Sequence, residues 1–405
     1  MSFLSWATKK PGRVWLVSLY GAVIAMGMCL LAWFGWGTFW EQLNIPPMTP
    51  YFADTRIIQG AVLSTADGLD PQLNNPRDPW KRILNYPRIW VTIGQWMHIE
   101  SEVGFLILGV SFVGVLIACG MHLLWQFPSR VLLMGLCSSA TLLGMERGNT
   151  DLLMFGLIYV SAITSYPVMR SLTYLMAIVL KIYPLFAGIG IRIKPSHRPW
   201  IGFMVIGYLW LVYDQLTAIS NGNNAAGVHS YGFKTILSAI KKMLTHPLGM
   251  TSDWLPWVCM MLLGLVLTGV LLLYRYRLPM VVDTLTHIHD RKKALFLSGA
   301  GIYCGTFLLA SNWDYRLIFL ILCLPLLRAL PHAVFHTGVP CLIIVTMNML
   351  HLDVVLPLPI LAIISLGTKV VLFTLLLHLG IGVVLSQRPL PSSPTRIASP
   401  PSHRS

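Results

Sequence analysis

SLTYLMAIVLKIYPLFAGIGIR, residues 171–192, is apolar enough to enter a membrane but not built to cross one as a single helix, because Lys181 and Pro184 stand at its centre. Proline removes a donor from the helical ladder and clashes with the turn before it. An ammonium in hydrocarbon needs an anionic partner or a wet cavity. Arg170 precedes the stretch and Arg192, Lys194, His197 and Arg198 follow it, so both flanks carry the basic signature of a cytoplasmic surface. The expected structure is a pair of short half-helices turning at Lys181-Ile-Tyr-Pro184, entering and leaving on one side, with the turn sheltered by protein.

On either side of this hairpin, segments near the length of a span, about 20 mostly apolar residues, recur. They fall at 14–37, 102–125, 130–145, 151–168, 200–218, 255–274, 294–311, 315–331, 337–352 and 358–385. The expected fold class is all-α: a polytopic transmembrane helical protein of about 11–12 membrane crossings. With the hairpin counted on one side, Lys9, Lys10, Arg13, Arg130, Arg170, residues 192–198, Arg275, Arg277, residues 291–293 and Arg388 share one face, which the positive-inside rule makes cytoplasmic. The opposite side receives residues 38–101 (a long first outer loop), 146–150, 219–253 (a second long outer loop) and 312–314. Residues 1–388 are expected to form one membrane domain, and the Pro- and Ser-rich residues 389–405 a disordered cytoplasmic tail. The first apolar run is longer than a signal-peptide core and has no small-x-small cleavage site, so it reads as a retained first helix.

Composition agrees. Of 405 residues, 55% are hydrophobic and 11% charged, against about 25% charged in soluble domains. A net charge of +14 would suggest nucleic acid in a soluble chain; here cationic loops explain it, and no nucleic-acid partner is expected. The seven cysteines all lie in apolar runs without a CxxC pair, which argues against a disulfide framework or zinc. His287-Ile-His289-Asp290 offers two histidines at i, i+2 and no further ligand, too little for a metal site. There is no Gly-rich phosphate loop, GxSxG elbow or HExxH.

The polar chemistry converges on the outer side. The first outer loop opens Tyr51-Phe-Ala-Asp54-Thr-Arg56, continues Gly68-Leu-Asp70-Pro-Gln-Leu-Asn-Asn-Pro76 and closes Asn85-Tyr86-Pro87-Arg88. Residues 56–65 read as an interfacial helix with Ile57, Ile58, Ala61, Val62 and Leu63 against lipid or protein. Asp54 is either its N-cap or a carboxylate held at the membrane surface. Glu146-Arg-Gly-Asn-Thr-Asp151 is either a salt-bridged turn with Asn149 or Thr150 capping the next helix, or part of a site at the same surface. Lys181 can pair with a structural carboxylate such as Asp214 or meet a ligand phosphate. In Ser311-Asn-Trp-Asp314-Tyr-Arg316, Arg316 can pair with Asp314 or bind an anion. His229 and Tyr231 lie in the second long outer loop, where a solvated histidine is the plainer alternative.

In their order and common sidedness these features resemble the integral-membrane glycosyltransferases of the GT-C superfamily. The chain is most similar to glycosyltransferase family 87, the polyprenol-phosphate-mannose-dependent mannosyltransferases. The resemblance runs from the first span to about residue 330 and rests on Asp54, Gly68-Leu-Asp70-Pro71, Asn85-Tyr86-Pro87, Gly148-Asn149 and Lys181-Ile-Tyr-Pro184. Where that family has a Gly-Gln-x-Asn turn and Tyr-Pro-Pro, this chain has Arg147-Gly148-Asn149 and Tyr86-Pro87-Arg88. The resemblance implies transfer of a hexose, mannose by family, from a polyprenyl-phosphate sugar donor to a lipid or glycan acceptor. It implies an inverting reaction with Asp54 as general base, on the outer face of a bacterial inner membrane, with no cofactor and a divalent ion optional. Arg56, Glu146, Arg147, Asn149, Lys181, His229, Tyr231 and Arg316 are then the candidates for binding donor phosphate and substrate. The alternatives are a lipid-linked saccharide flippase without catalytic activity, a secondary transporter, for which paired broken helices are wanting, and a noncatalytic assembly protein.

Overall fold

A computed structural model describes residues 12–191, 193, 195–215, 229–235, 282–309, 311–356 and 358–387. The expected span 255–274, most of the loop 219–253, Arg275, Arg277 and the tail 389–405 lie outside these residues.

The described chain is helical apart from two antiparallel two-residue strands. Helix α1 (Arg13–Phe34) buries only Leu16 and Tyr20 and exposes Val14, Met26, Met28 and Trp33, the surface of a helix facing lipid. After the short α2 (Trp36–Gln42), the loop 38–101 folds back on the bundle as α3 (Ala53–Ala66) and α4 (Ile89–Trp96). Ile57, Ile58, Ala61 and Val62 of α3 are buried, so the expected interfacial helix packs on protein. The long α5 (Glu102–Gln126) follows, its first turn capped by Ser101 Oγ accepting from Gly104 N at 3.1 Å.

The apolar stretch 130–145 is not one helix. It splits into α6 (Arg130–Leu136) and α7 (Ser139–Arg147), because Ser138 leaves the helical conformation and its hydroxyl bonds Gly135 O at 2.7 Å. Next come α8 (Asp151–Ile163) and α9 (Pro167–Leu180). As the sequence predicts, α9 stops at Lys181, which is extended (φ −157°, ψ 132°), and a 3-10 segment, Tyr183–Ile189, takes over. The two last carbonyls of α9 do not go unmatched: Trp90 Nε1 donates to Leu180 O at 2.9 Å and the Tyr208 hydroxyl to Val179 O at 2.6 Å. Helix α10 (Arg198–Leu211) is largely exposed.

Strand β1 (Ser230–Tyr231) pairs with β2 (Asn312–Trp313), which follows α11 (Asp290–Leu309). Residues Asp314–Cys323 form a 3-10 run buried at nearly every position and continue into α12 (Leu324–Leu327). This run, α11, α8 and the 3-10 segment after α9 enclose the core, where Phe155, Phe296 and Phe319 are fully buried. The chain ends through a π turn (Val334–Gly338), α13 (Val339–Met347), α14 (Met349–Leu352) and the long α15 (Leu358–Ser386).

Among the described residues, three helical segments are long and apolar enough to cross a membrane: Arg13–Phe34, Glu102–Gln126 and Ile364–Ser386. The expected span 315–331 is a 3-10 run that passes without a break into the short α12 and ends at Leu327, and 337–352 is divided at Asn348 between α13 and α14. The described residues are thus those of an all-α membrane protein, with three long apolar helices among them and several short or broken ones.

Candidate functional site

Asp54 is the second residue of α3, one position inside the helix. The cap position belongs to Phe52 in left-handed conformation, and no side chain caps it, so Asp54 does not serve as an N-cap. Its carboxylate points sideways: Oδ2 accepts from Asn149 Nδ2 at 2.5 Å and Oδ1 from Arg82 Nη1 at 3.2 Å. The side chain is 14% exposed, mostly buried but not sealed from solvent.

Both partners are themselves fixed. Asn149 Oδ1 accepts from Asp151 N at 2.7 Å, so this amide caps α8 and holds Asp54 at once. The turn that carries it needs Gly148, which is left-handed (φ +55°); a Cβ there would stand 2.7 Å from Thr55 Oγ1 and 2.9 Å from the Phe52 ring. The Thr55 hydroxyl closes the contact by donating to Gly148 O at 2.7 Å. Arg82 is clamped by the buried Asp78 through Nε at 3.1 Å and Nη2 at 3.0 Å. Burial works against the charge of Arg82, yet the hydrogen bond to Asp78 and the fields of Asp54 and Asp78 outweigh it and raise its pKa.

Beside this group lies a second, fully buried one. Asp151, at the start of α8, accepts from Lys181 Nζ, from the Tyr183 hydroxyl at 2.7 Å and from Arg316 Nε at 3.1 Å. Lys181 also reaches Thr150 Oγ1 at 2.8 Å and lies 4.8 Å above the Tyr86 ring, while Arg316 stacks on Tyr183 at 4.4 Å and bonds Asn312. Tyr86 is within the electrostatic reach of both Asp54 and Asp151; burial first, and Asp54 next, raise its hydroxyl well above the usual tyrosine range. The two groups differ in sign. Asp54 and Asp78 against Arg82 leave one negative charge, and Lys181 and Arg316 against Asp151 leave one positive.

Of the residues singled out in the sequence, the structure brings Asp54, Asn149, Lys181 and Arg316 together. Tyr231 lies at the edge: its ring stacks on Tyr303 at 5.3 Å and its hydroxyl meets Thr306 at 3.1 Å. Lys181 does not pair with Asp214, which bonds Arg88 at 3.2 Å instead. Arg316 does not pair with Asp314, which is held by Lys369 at 2.8 Å. Four residues turn elsewhere. Arg56 makes a bidentate bond to Glu102 at 2.7 and 3.0 Å and stacks over Phe105 at 4.0 Å, because residues two apart on a helix point to different faces. Glu146 and Arg147 brace the start of the loop 38–101: Glu146 Oε1 accepts from Met48 N at 2.8 Å and Arg147 donates to Pro46 O at 3.2 Å. Burial pushes the Glu146 carboxyl above the usual glutamate range, with Arg147 opposing it. His229 lies 3.4 Å from Asp353.

Asp78, Arg82, Asp151 and Lys369 are structural partners the sequence reading did not select as site residues. Among the described residues no group of three metal-ligating side chains is present. What fold and charge network define together is a helical membrane protein with a mostly buried, partly exposed carboxylate beside a buried cation pair. No known protein family matches the chain, and neither a curated protein nor a solved structure shows significant similarity to it.

Proposed function

We propose that the protein is an integral-membrane glycosyltransferase of GT-C type that moves a hexose, by resemblance mannose, from a polyprenyl-phosphate donor to an acceptor hydroxyl on a lipid or glycan. Asp54 carries this reading: a partly exposed carboxylate held in place by an amide and a guanidinium, next to a positively charged buried group. In the reaction the acceptor hydroxyl gives its proton to Asp54 as its oxygen attacks the anomeric carbon. The bond from that carbon to the donor phosphate oxygen breaks, and its electron pair leaves with the phosphate. Attack from the side opposite the leaving group inverts the centre.

The departing polyprenyl phosphate gains negative charge. Lys181 and Arg316, fixed beforehand on Asp151, supply positive charge that needs no rearrangement when that happens. Because the leaving group is a phosphate monoester, a divalent ion is optional. The outer face of a bacterial inner membrane suits this chemistry, since the donor's lipid chain stays in the bilayer.

The test uses the purified full chain in proteoliposomes with a radiolabelled polyprenyl-phosphate hexose and a membrane lipid extract as acceptor. Release of polyprenyl phosphate together with labelled acceptor is the expected result. Movement of intact donor across the bilayer without its cleavage would replace this reading by that of a flippase.

A further inference from the structure

Residues 78–82, Asp-Pro-Trp-Lys-Arg, form a turn built around one buried carboxylate. Asp78 Oδ2 accepts from Trp80 N at 3.1 Å, Arg82 N at 2.9 Å and Arg82 Nε at 3.1 Å, and Oδ1 accepts from Arg82 Nη2 at 3.0 Å. Lys81 adopts a left-handed conformation (φ +54°), which lysine rarely takes without support from its surroundings. The result is a fixed orientation for the two side chains that flank it.

The Arg82 guanidinium faces two ways. Its edge meets Asp54 at 3.2 Å, and its carbon lies 4.7 Å from the centre of the Trp80 ring. One planar group therefore links an indole to the partly exposed carboxylate. Trp80 itself is half-buried and keeps part of its surface in solvent.

We propose that Trp80 is the platform of an acceptor subsite and that the acceptor presents a pyranose ring to it. This rests on the reading of Asp54 as the base, since the subsite delivers a hydroxyl to that carboxylate. A pyranose has a face of C–H bonds and a rim of hydroxyls. The C–H face fits an aromatic face, which carries partial negative charge. The hydroxyl rim, with donors and acceptors together, can donate to the Asp54 carboxylate, while Arg82, bonded to Asp54, Asp78 and Ala53 O, holds that carboxylate in place. An acyclic hydroxyl compound offers no such flat face to the indole.

Saturation-transfer NMR on the full chain in detergent micelles tests this with methyl mannopyranoside as the probe and sorbitol as the acyclic comparison. The ring C–H protons of the pyranoside should receive saturation and those of sorbitol should not. Trp80→Leu should weaken pyranoside binding about tenfold, the loss of one aromatic contact, and Trp80→Phe should retain it. If the leucine variant does not fold, Trp80→Phe and Trp80→Tyr carry the test, and loss of the signal in both overturns the subsite. Equal signals from sorbitol and pyranoside, unchanged binding by Trp80→Leu, or no signal from the unaltered protein would each overturn it too. A Trp80-dependent signal in a protein that transfers no sugar would leave the subsite standing and remove the glycosyltransferase reading.

Discussion

At the scale of single residues, Asp54 separates two roles that its position in sequence leaves joined. Because it is not the cap of α3, Asp54→Asn removes the proton acceptor while Arg82 keeps its Asp78 contacts. Transfer should fall about a hundredfold or more, and stability should change by about 1 kcal/mol or less, as for a partly exposed ion pair. Gly148→Ala should behave in the opposite way. It forces a side chain into left-handed backbone against Thr55 and Phe52, so thermal unfolding should report a loss of about 1–3 kcal/mol. Glu146 supplies a pH signature. Its carboxyl is raised in the folded protein, so its contribution is fully present below the ordinary value of 4.5 and is lost as pH rises through the raised one. Stability should therefore decline with rising pH from about 4.5 upward, and Glu146→Gln should flatten that decline.

At the scale of elements, the break after α9 and the start of α8 depend on each other. Lys181 can occupy the break because Asp151, one helix away, receives it, and Asp151 is also the anchor of Arg316. Asp151→Asn should strand two buried cations and cost about 3–5 kcal/mol, the range for breaking a buried pair. The double variant Asp151→Asn with Lys181→Met should regain part of that in thermal unfolding, since only Arg316 then lacks its partner. The break was legible in the sequence because lysine and proline within an apolar run contradict a continuous span. Asp54, Asn149 and Arg316 were legible for a similar reason: polar residues at the ends of apolar segments stand out. Asp78 and Arg82 were not, because in a loop rich in charge every carboxylate looks solvated until the chain folds one of them under a helix. Lys369 was hidden differently, as a single cation in a long apolar run with no proline beside it to mark a break, received by the buried Asp314 and by Ser230 O at 3.0 Å. The splitting of 130–145 escaped because Ser138 ends α6 through its own hydroxyl, a local bond with no hydropathy signal.

At the scale of the whole molecule, the outer loop, α8 and the 312–316 turn must share one side of the membrane for the charge network to exist. Cysteine labelling checks this. Asn75 is a poor position for it, being 1% exposed and bonded to Ser64, whereas Leu73 is 78% exposed. Leu73→Cys should react with a membrane-impermeant reagent added outside sealed cells, and Arg291→Cys only after the membrane is opened; the reverse would place Asp54 in the cytoplasm. The central claim concerns what happens at Asp54. The measurement closest to it is turnover of a radiolabelled polyprenyl-phosphate hexose by matched preparations of the unaltered protein and Asp54→Asn, with folding of both verified by thermal unfolding. The account predicts labelled acceptor from the first and about a hundredfold less from the second at nearly equal stability. Equal transfer by the two proteins would contradict it.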